Sequence, residues 1–190
     1  MIRRPPRSTQ GVSSAASDVY KRQLLIAAYF GEQEIDWPED EKTIGLIVSI
    51  LLIQLIAIFG AILTSKLSSK FGNIFTLILL NIFWALLCIG AYFITDPFEF
   101  YIAAGLVGLV MGGIQALSRS TFSKMIPKTD NTTSYFSFYD VSQKVSIVFG
   151  MTLFAFLDQI TGSMRTSILM FVVIFLIGAL LLKRIKINNY

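Results

Sequence analysis

IGLIVSILLIQLIAIFGAIL, residues 44–63, is a run of twenty residues broken only by Ser49 and Gln54 among its apolar and glycine positions. The hydrocarbon core of a bilayer is crossed by about 20 apolar residues in helical conformation. Alternation of period two, the mark of a half-buried strand, is absent from the run. The stretch therefore predicts a transmembrane helix, and the rest of the chain can be read outward from it. Similar runs follow at 74–94, 101–117, 138–157 and 167–182, the fourth polar at its start and apolar from Val145. Ahead of them, 24–30 is apolar but too short to span and reads as the outer end of a helix whose beginning is missing. The expected fold is all-α, a polytopic membrane bundle of five full spans plus this stump.

Composition agrees. Of 190 residues, 54% are hydrophobic and 15% charged, against about a quarter charged in soluble domains. The formal net charge of +4 sits entirely in residues 1–23, which hold five basic residues against Asp18 alone. The remaining chain is balanced, so the charge is no argument for a nucleic-acid partner. Residues 1–23 show no apolar period and no signal-peptide core. That stretch closely resembles the conceptual translation of a sequencing adapter, and it is expected to be disordered and foreign to the fold.

Basic residues in short loops mark the cytoplasmic side. Lys66, Lys70, Arg119, Lys124, Lys128, Lys183, Arg184 and Lys186 fall on one side of the spans, and only Lys42 and Arg165 on the other. The second side carries nine carboxylates, from Glu32 to Asp158. The C-terminus is thus expected in the cytoplasm, with Trp37 and Tyr92 near the outer boundary. Asp36 is expected to cap the first full span, with Pro38, Glu39 and Asp40 in its first turn. The sequon Asn131-Thr132-Thr133 falls on the cytoplasmic side and is noise.

Histidine is absent, and Cys88 is the one cysteine. These remove the commonest neutral-pH base and any disulfide within the chain, and no metal-ligand spacing or nucleophile elbow appears. No enzymatic chemistry and no cofactor are expected. The glycines of the third full span are not followed by the Lys-Ser/Thr of a phosphate loop. Gly105, Gly108, Gly112 and Gly113 instead form a small-residue surface suited to close helix packing, or to a hinge.

Polar side chains at membrane depth are few and must find partners or water. Gln54, Asn81 and Gln115 are the candidates for a solute cavity, with an interhelical hydrogen bond as the plainer role. Arg119, Tyr139, Asp140, Gln143 and Lys144 gather near the cytoplasmic boundary. Asp140 and Lys144 are four apart and able to pair. Joined to Arg119 they would form a latch between the third and fourth spans, structural or acting as a gate.

The segments GGIQALSRSTFSKMIPK at 112–128 and SYFSFYDVSQKVSIVFG at 134–150 resemble the vacuole-effluxer-like branch of the major facilitator superfamily. The resemblance covers 24–190. It implies a twelve-helix secondary transporter in two halves, of which this would be the C-terminal six-helix half with its first helix truncated. It further implies a small solute, amino acids by analogy, moved with a proton or by exchange between the two halves. SKLSSKFGN at 65–73 occupies the place of the family's basic loop but lacks its acidic residue and its arginine. On this reading the partners are the lipid bilayer, a missing N-terminal half and the solute, in the cytoplasmic membrane. A self-standing homodimeric membrane protein and a non-transporting scaffold are the alternatives.

Overall fold

The computed structural model describes residues 27–127 and 132–184. The adapter-like stretch 1–23, the first three residues of the stump, Lys128, Asn131 of the sequon and Lys186 lie outside them. Helix α1 covers 27–34. It is followed by α2 (Lys42–Phe71), α3 (Asn73–Phe93), α4 (Pro97–Met125), α5 (Thr132–Thr161) and α6 (Met164–Lys183). All five of the latter are long and apolar enough to cross a membrane, and no strand occurs among the described residues.

Four of the five spans outrun the apolar stretch that announces them, and α3 matches its stretch in length. Inside the bilayer no water competes for backbone groups, so helical hydrogen bonding continues until the chain reaches the interface. The ends are then set by local chemistry. Gly72 alone joins α2 to α3, at φ 88° and ψ 155°. That backbone is open to glycine and strained for any residue with a Cβ, and it reverses the chain within one residue. α4 opens on Pro97 with Glu99 in its first turn, where the fixed φ and the negative charge both suit a helix N-terminus. Ser163 caps α6 by accepting a hydrogen bond from the Thr166 N–H.

One expected start is corrected. α2 begins at Lys42 behind Glu41, with no acidic residue in its first turn and no side-chain cap. Asp36 and Pro38 belong to the connector before it. The Trp37 indole explains this: its Nε1 donates to the Gly31 carbonyl at 2.7 Å, and its ring lies so close to Gly45 that a Cβ there would collide with it. The connector is thereby folded back over the bundle, and a turn at Pro38–Glu41 intervenes before the helix starts.

Single-residue and short links make successive helices antiparallel. α2 packs most extensively on α4, α3 on α6 and to a lesser degree on α4, while α5 rests on α6. One end of the bundle therefore collects Lys66, Lys70, Arg119, Lys124 and Lys183, and the opposite end the carboxylates. They are called the basic and acidic ends below. Outward-facing Leu51, Leu55, Ile58, Phe59 and Ile62 of α2 are half-exposed or more, and exposed Gln54 lies on the same face.

Candidate functional site

The α2–α4 contact is built on backbone. Gly108 faces the Ile53 carbonyl, Gly112 the Ala57 carbonyl, and Gly60 of α2 the Leu109 carbonyl, each so close that a Cβ would overlap it. Gly113 lies against Thr64, and Gly105 against Ile56 more loosely. Small residues permit this approach, and association in lipid depends on such packing. Beside the seam, Ile53, Ala104 and Met111 are buried together.

Behind α4 lies an apolar cavity of about 370 Å³. Its wall runs from Phe30 and Phe100 near the acidic end, past Cys88 and Trp84, to Met111 and Gln115. Trp84 stacks on Phe175 with ring centroids 5.6 Å apart, so α3 and α6 meet there over flat aromatic faces. Ile168 and Phe171 of α6 complete the wall.

At the basic end α4 carries two polar attachments. On one side Arg119 Nη2 donates to Asp140 Oδ1 at 3.1 Å, the Ser118 and Tyr139 hydroxyls are 2.8 Å apart, and Tyr139 lies tilted over Phe122 at 4.8 Å. These tie α4 to α5. On the other side the Asn73 carboxamide acts as a hub. Its Oδ1 accepts from Ser68 Oγ at 2.6 Å and from Lys124 Nζ at 3.3 Å; its Nδ2 donates to Thr121 Oγ1 at 3.1 Å. These tie the α2–α3 joint to α4.

At the acidic end Arg165, in the first turn of α6, makes three hydrogen bonds. Nε donates to Glu34 Oε2 at 2.7 Å, Nη2 to the Glu34 carbonyl at 2.7 Å, and Nη1 to the Tyr92 carbonyl at 2.9 Å. One guanidinium thus joins the ends of α1, α3 and α6. A planar fork of donors is suited to such a junction.

The candidate residues fall in different places. Gln115 is on the cavity wall. Asn81 sits at the α3–α6 seam, donating to the Leu77 carbonyl at 2.9 Å and facing Gly178. Gln54 is on the exposed side of α2, next to buried Ile53, and no hydrogen bond from it exists among the described residues. Arg119, Tyr139 and Asp140 are brought together. Lys144 stays exposed one turn further along α5 and makes no ion pair among the described residues, and Gln143 is half-buried beside it. The acid at 140 is engaged by Arg119 from the neighbouring helix because the guanidinium reaches it directly across the interface.

Sequence reasoning missed Arg165 and Asn73. A lone arginine among nine carboxylates was a visible signal, but its partner is 131 positions away. Asn73 lies in the very loop that lacks the family's charged residues, and it makes its connections through an amide.

α5 differs from the other spans. It is the least apolar of the five and also the least buried, with Phe154 as its one buried residue. Ser146 and Thr152 return their hydroxyl protons to the Ser142 and Val148 carbonyls, a common way of satisfying a hydroxyl inside a membrane helix.

Residues 16–189 match the family model described as vacuole effluxer Atg22 like. The chain is 33% identical over 138 residues to the uncharacterized MFS-type transporter YxiO of Bacillus subtilis, covering 73% of this chain and 32% of that protein. It is 33% identical over 159 residues to autophagy-related protein 22 of Vanderwaltozyma polyspora, covering 77% and 29% respectively. With autophagy-related protein 22-1 of Aspergillus niger the identity is 26% over 167 residues, 88% of this chain and 25% of that one. The chain thus spans about a third or less of the length of the curated relatives it matches. No solved structure matches it.

Proposed function

Because this chain belongs to the vacuole effluxer Atg22-like family, we propose that it is the C-terminal part of a secondary transporter which moves a small solute across the cytoplasmic membrane by alternating access. Amino acids are the first solutes to test, with proton coupling or exchange as the driving scheme. The basic end is cytoplasmic on this reading, by the excess of Lys and Arg there.

The observation that carries the proposal is the inversion on α5. A span that faces lipid should be the most apolar of a bundle, because polar groups at that depth have no water to bind. α5 is the least apolar and the least covered, and Ser142, Lys144 and Ser146 are exposed on it. Gln54 is similarly exposed at the middle of α2. Intramembrane polar residues face a protein interior or a wet path. The α5 face and Gln54 are therefore assigned to the side that meets the other half of the transporter and the solute. Facilitators bind solute between their repeats and rock one against the other. The Arg119–Asp140 and Ser118–Tyr139 contacts would hold α5 to α4 at the cytoplasmic end in one state and part in the other.

The test is efflux of labelled amino acids from cells expressing the intact protein. Efflux that depends on the gene, and falls in Gln54→Leu and in Asp140→Asn, is the expected result. Unchanged amino-acid fluxes in cells with and without the gene would remove amino acids as the solute. Unimpaired transport in both variants would overturn the assignments to α2 and α5.

A further inference from the structure

α3 and α4 pack closely in their basic half, where Leu77, Leu80, Val110 and Leu117 are buried together. Toward the acidic end a groove of about 460 Å³ opens between the same two helices. Phe83, Leu86, Gly90 and Phe93 form its α3 wall, and Ile102 and Leu106 its α4 wall. A Cβ at Gly90 would meet nothing within 4 Å, which leaves a notch in the α3 wall. Glu99 is the acid on this wall, and it stands at the mouth, in the first turn of α4. No wall residue comes from α1, α2, α5 or α6.

Chemistry and length decide what fills the groove. Between Phe75 and Gly90 every exposed residue of α3 is apolar or glycine, whereas the exposed faces of α2 and α5 carry Gln54 and Lys144. Polar side chains at membrane depth face protein or water, and a surface free of them suits acyl chains. From Phe93 to Phe83 the wall descends about 15 Å at the helical rise, the depth of one leaflet of a hydrocarbon core about 30 Å thick. At the mouth, Glu99 is exposed and in no ion pair among the described residues. Its carboxylate accepts the Thr95 N–H at 3.4 Å. Asp96, exposed just before α4 and without a side-chain cap bond, adds a second negative charge. Together they outweigh the roughly half positive charge of a helix N-terminus. The cations of this end are already committed, Lys42 to Glu32 and Arg165 to Glu34. An anionic headgroup therefore finds no partner at the mouth, and an amine finds Glu99.

We propose that the groove is a phospholipid site in the leaflet at the acidic end, with one acyl chain against Gly90 between α3 and α4 and a primary-ammonium headgroup paired with Glu99. A primary ammonium offers the carboxylate N–H donors, which a quaternary one lacks. An occupied groove joins α3 to α4 where their own side chains leave space. The site requires only that the chain lies in a membrane, so it stands or falls separately from transport.

The intact protein is reconstituted with a trace of phosphatidylethanolamine carrying a photoreactive diazirine in its tail, and adducts are mapped to peptides after illumination. Adducts are expected to concentrate on 83–93 and 99–106. Unlabelled phosphatidylethanolamine should displace the probe there about fivefold better than phosphatidylcholine or phosphatidylglycerol, the size expected of one partly exposed ion pair. Glu99→Gln should abolish that preference while the adducts remain. Gly90→Leu, which fills the notch, should cut the groove adducts severalfold. Glu39→Gln, at an exposed acid of the connector, should change neither. Adducts spread evenly over the exposed faces of α2, α3 and α6 would mark annular lipid only and overturn the site. An undiminished preference in Glu99→Gln, or better displacement by phosphatidylglycerol, would overturn the headgroup assignment. Absence of adducts from the groove would refute a lipid there altogether.

Discussion

Replacing Gly108 by alanine puts a methyl carbon 2.5 Å from the Ile53 carbonyl oxygen, where ordinary contact begins at 3.4 Å. The clash is with main chain at the centre of two long helices, so no rotamer change relieves it. α4 must lift from α2 by about 0.9 Å at that point, a gap that forfeits about a quarter to a half of the local dispersion energy. Overpacking of well-packed interiors costs about 1–3 kcal/mol. Alanine in place of helical glycine brings back up to about 1 kcal/mol of propensity, and that gain has to be subtracted. Gly90→Ala provides the subtraction, because Gly90 is helical, exposed and has nothing within 4 Å of its Cβ position. The expected result is that Gly108→Ala lies about 1–3 kcal/mol below Gly90→Ala in unfolding free energy. Denaturation of the intact protein in mixed micelles, followed by far-ultraviolet circular dichroism, measures both. If the two variants agree within about 0.5 kcal/mol, the spread of an ordinary surface substitution, the backbone seam does not hold these helices together.

Other outcomes follow from single side chains. Gln54→Leu should leave stability unchanged within about 0.5 kcal/mol, since no bond from Gln54 is lost within the described chain, while solute flux falls; a stability loss without a flux loss would place Gln54 in packing. Asn73→Ala removes three hydrogen bonds and should cost about 1–3 kcal/mol, and a double-mutant cycle with Thr121→Val should show coupling. Arg119→Gln should cost no more than about 1 kcal/mol, because the Arg119 side chain is 44% exposed and such pairs are screened; its effect belongs in the transport rate. Trp84→Leu loses the stack on Phe175, worth about 0.5–1.5 kcal/mol beyond burial, and should loosen α3 from α6 in the same denaturation assay.

How much of this was legible beforehand follows from the range over which each force acts. The spans declare themselves because crossing a bilayer needs a contiguous run, and 44–63 contains one; nothing distant is required to read it. The glycines from 105 to 113 announce a close neighbour by spacing alone, although the identity of that neighbour as α2 is a matter of topology. The start of α2 was misread. Asp36 and Pro38 have the chemistry of a helix start, but Trp37 between them is hydrogen-bonded to the Gly31 carbonyl and packed against Gly45, and tertiary packing of one large ring outweighed local preference. The Arg165 clasp and the Asn73 hub join segments up to 131 positions apart, and no periodicity in a single sequence carries that information. The exposure of α5 was hidden for a further reason. Its hydropathy is low enough to suggest a covered helix, and only the packing shows that nothing in the described chain covers it.

The seam between α2 and α4 also limits how the sequence can drift. Where the obstacle is a side chain, an enlargement can be compensated by trimming that side chain: Phe100 and Leu46 for Gly31, Trp37 for Gly45. At Gly60, Gly108 and Gly112 the obstacle is a carbonyl of the facing main chain, which every residue carries alike. No second substitution can remove it. A genetic screen for suppressors should therefore recover second-site revertants of enlargements at Gly31 and Gly45, and only true revertants at the three seam positions.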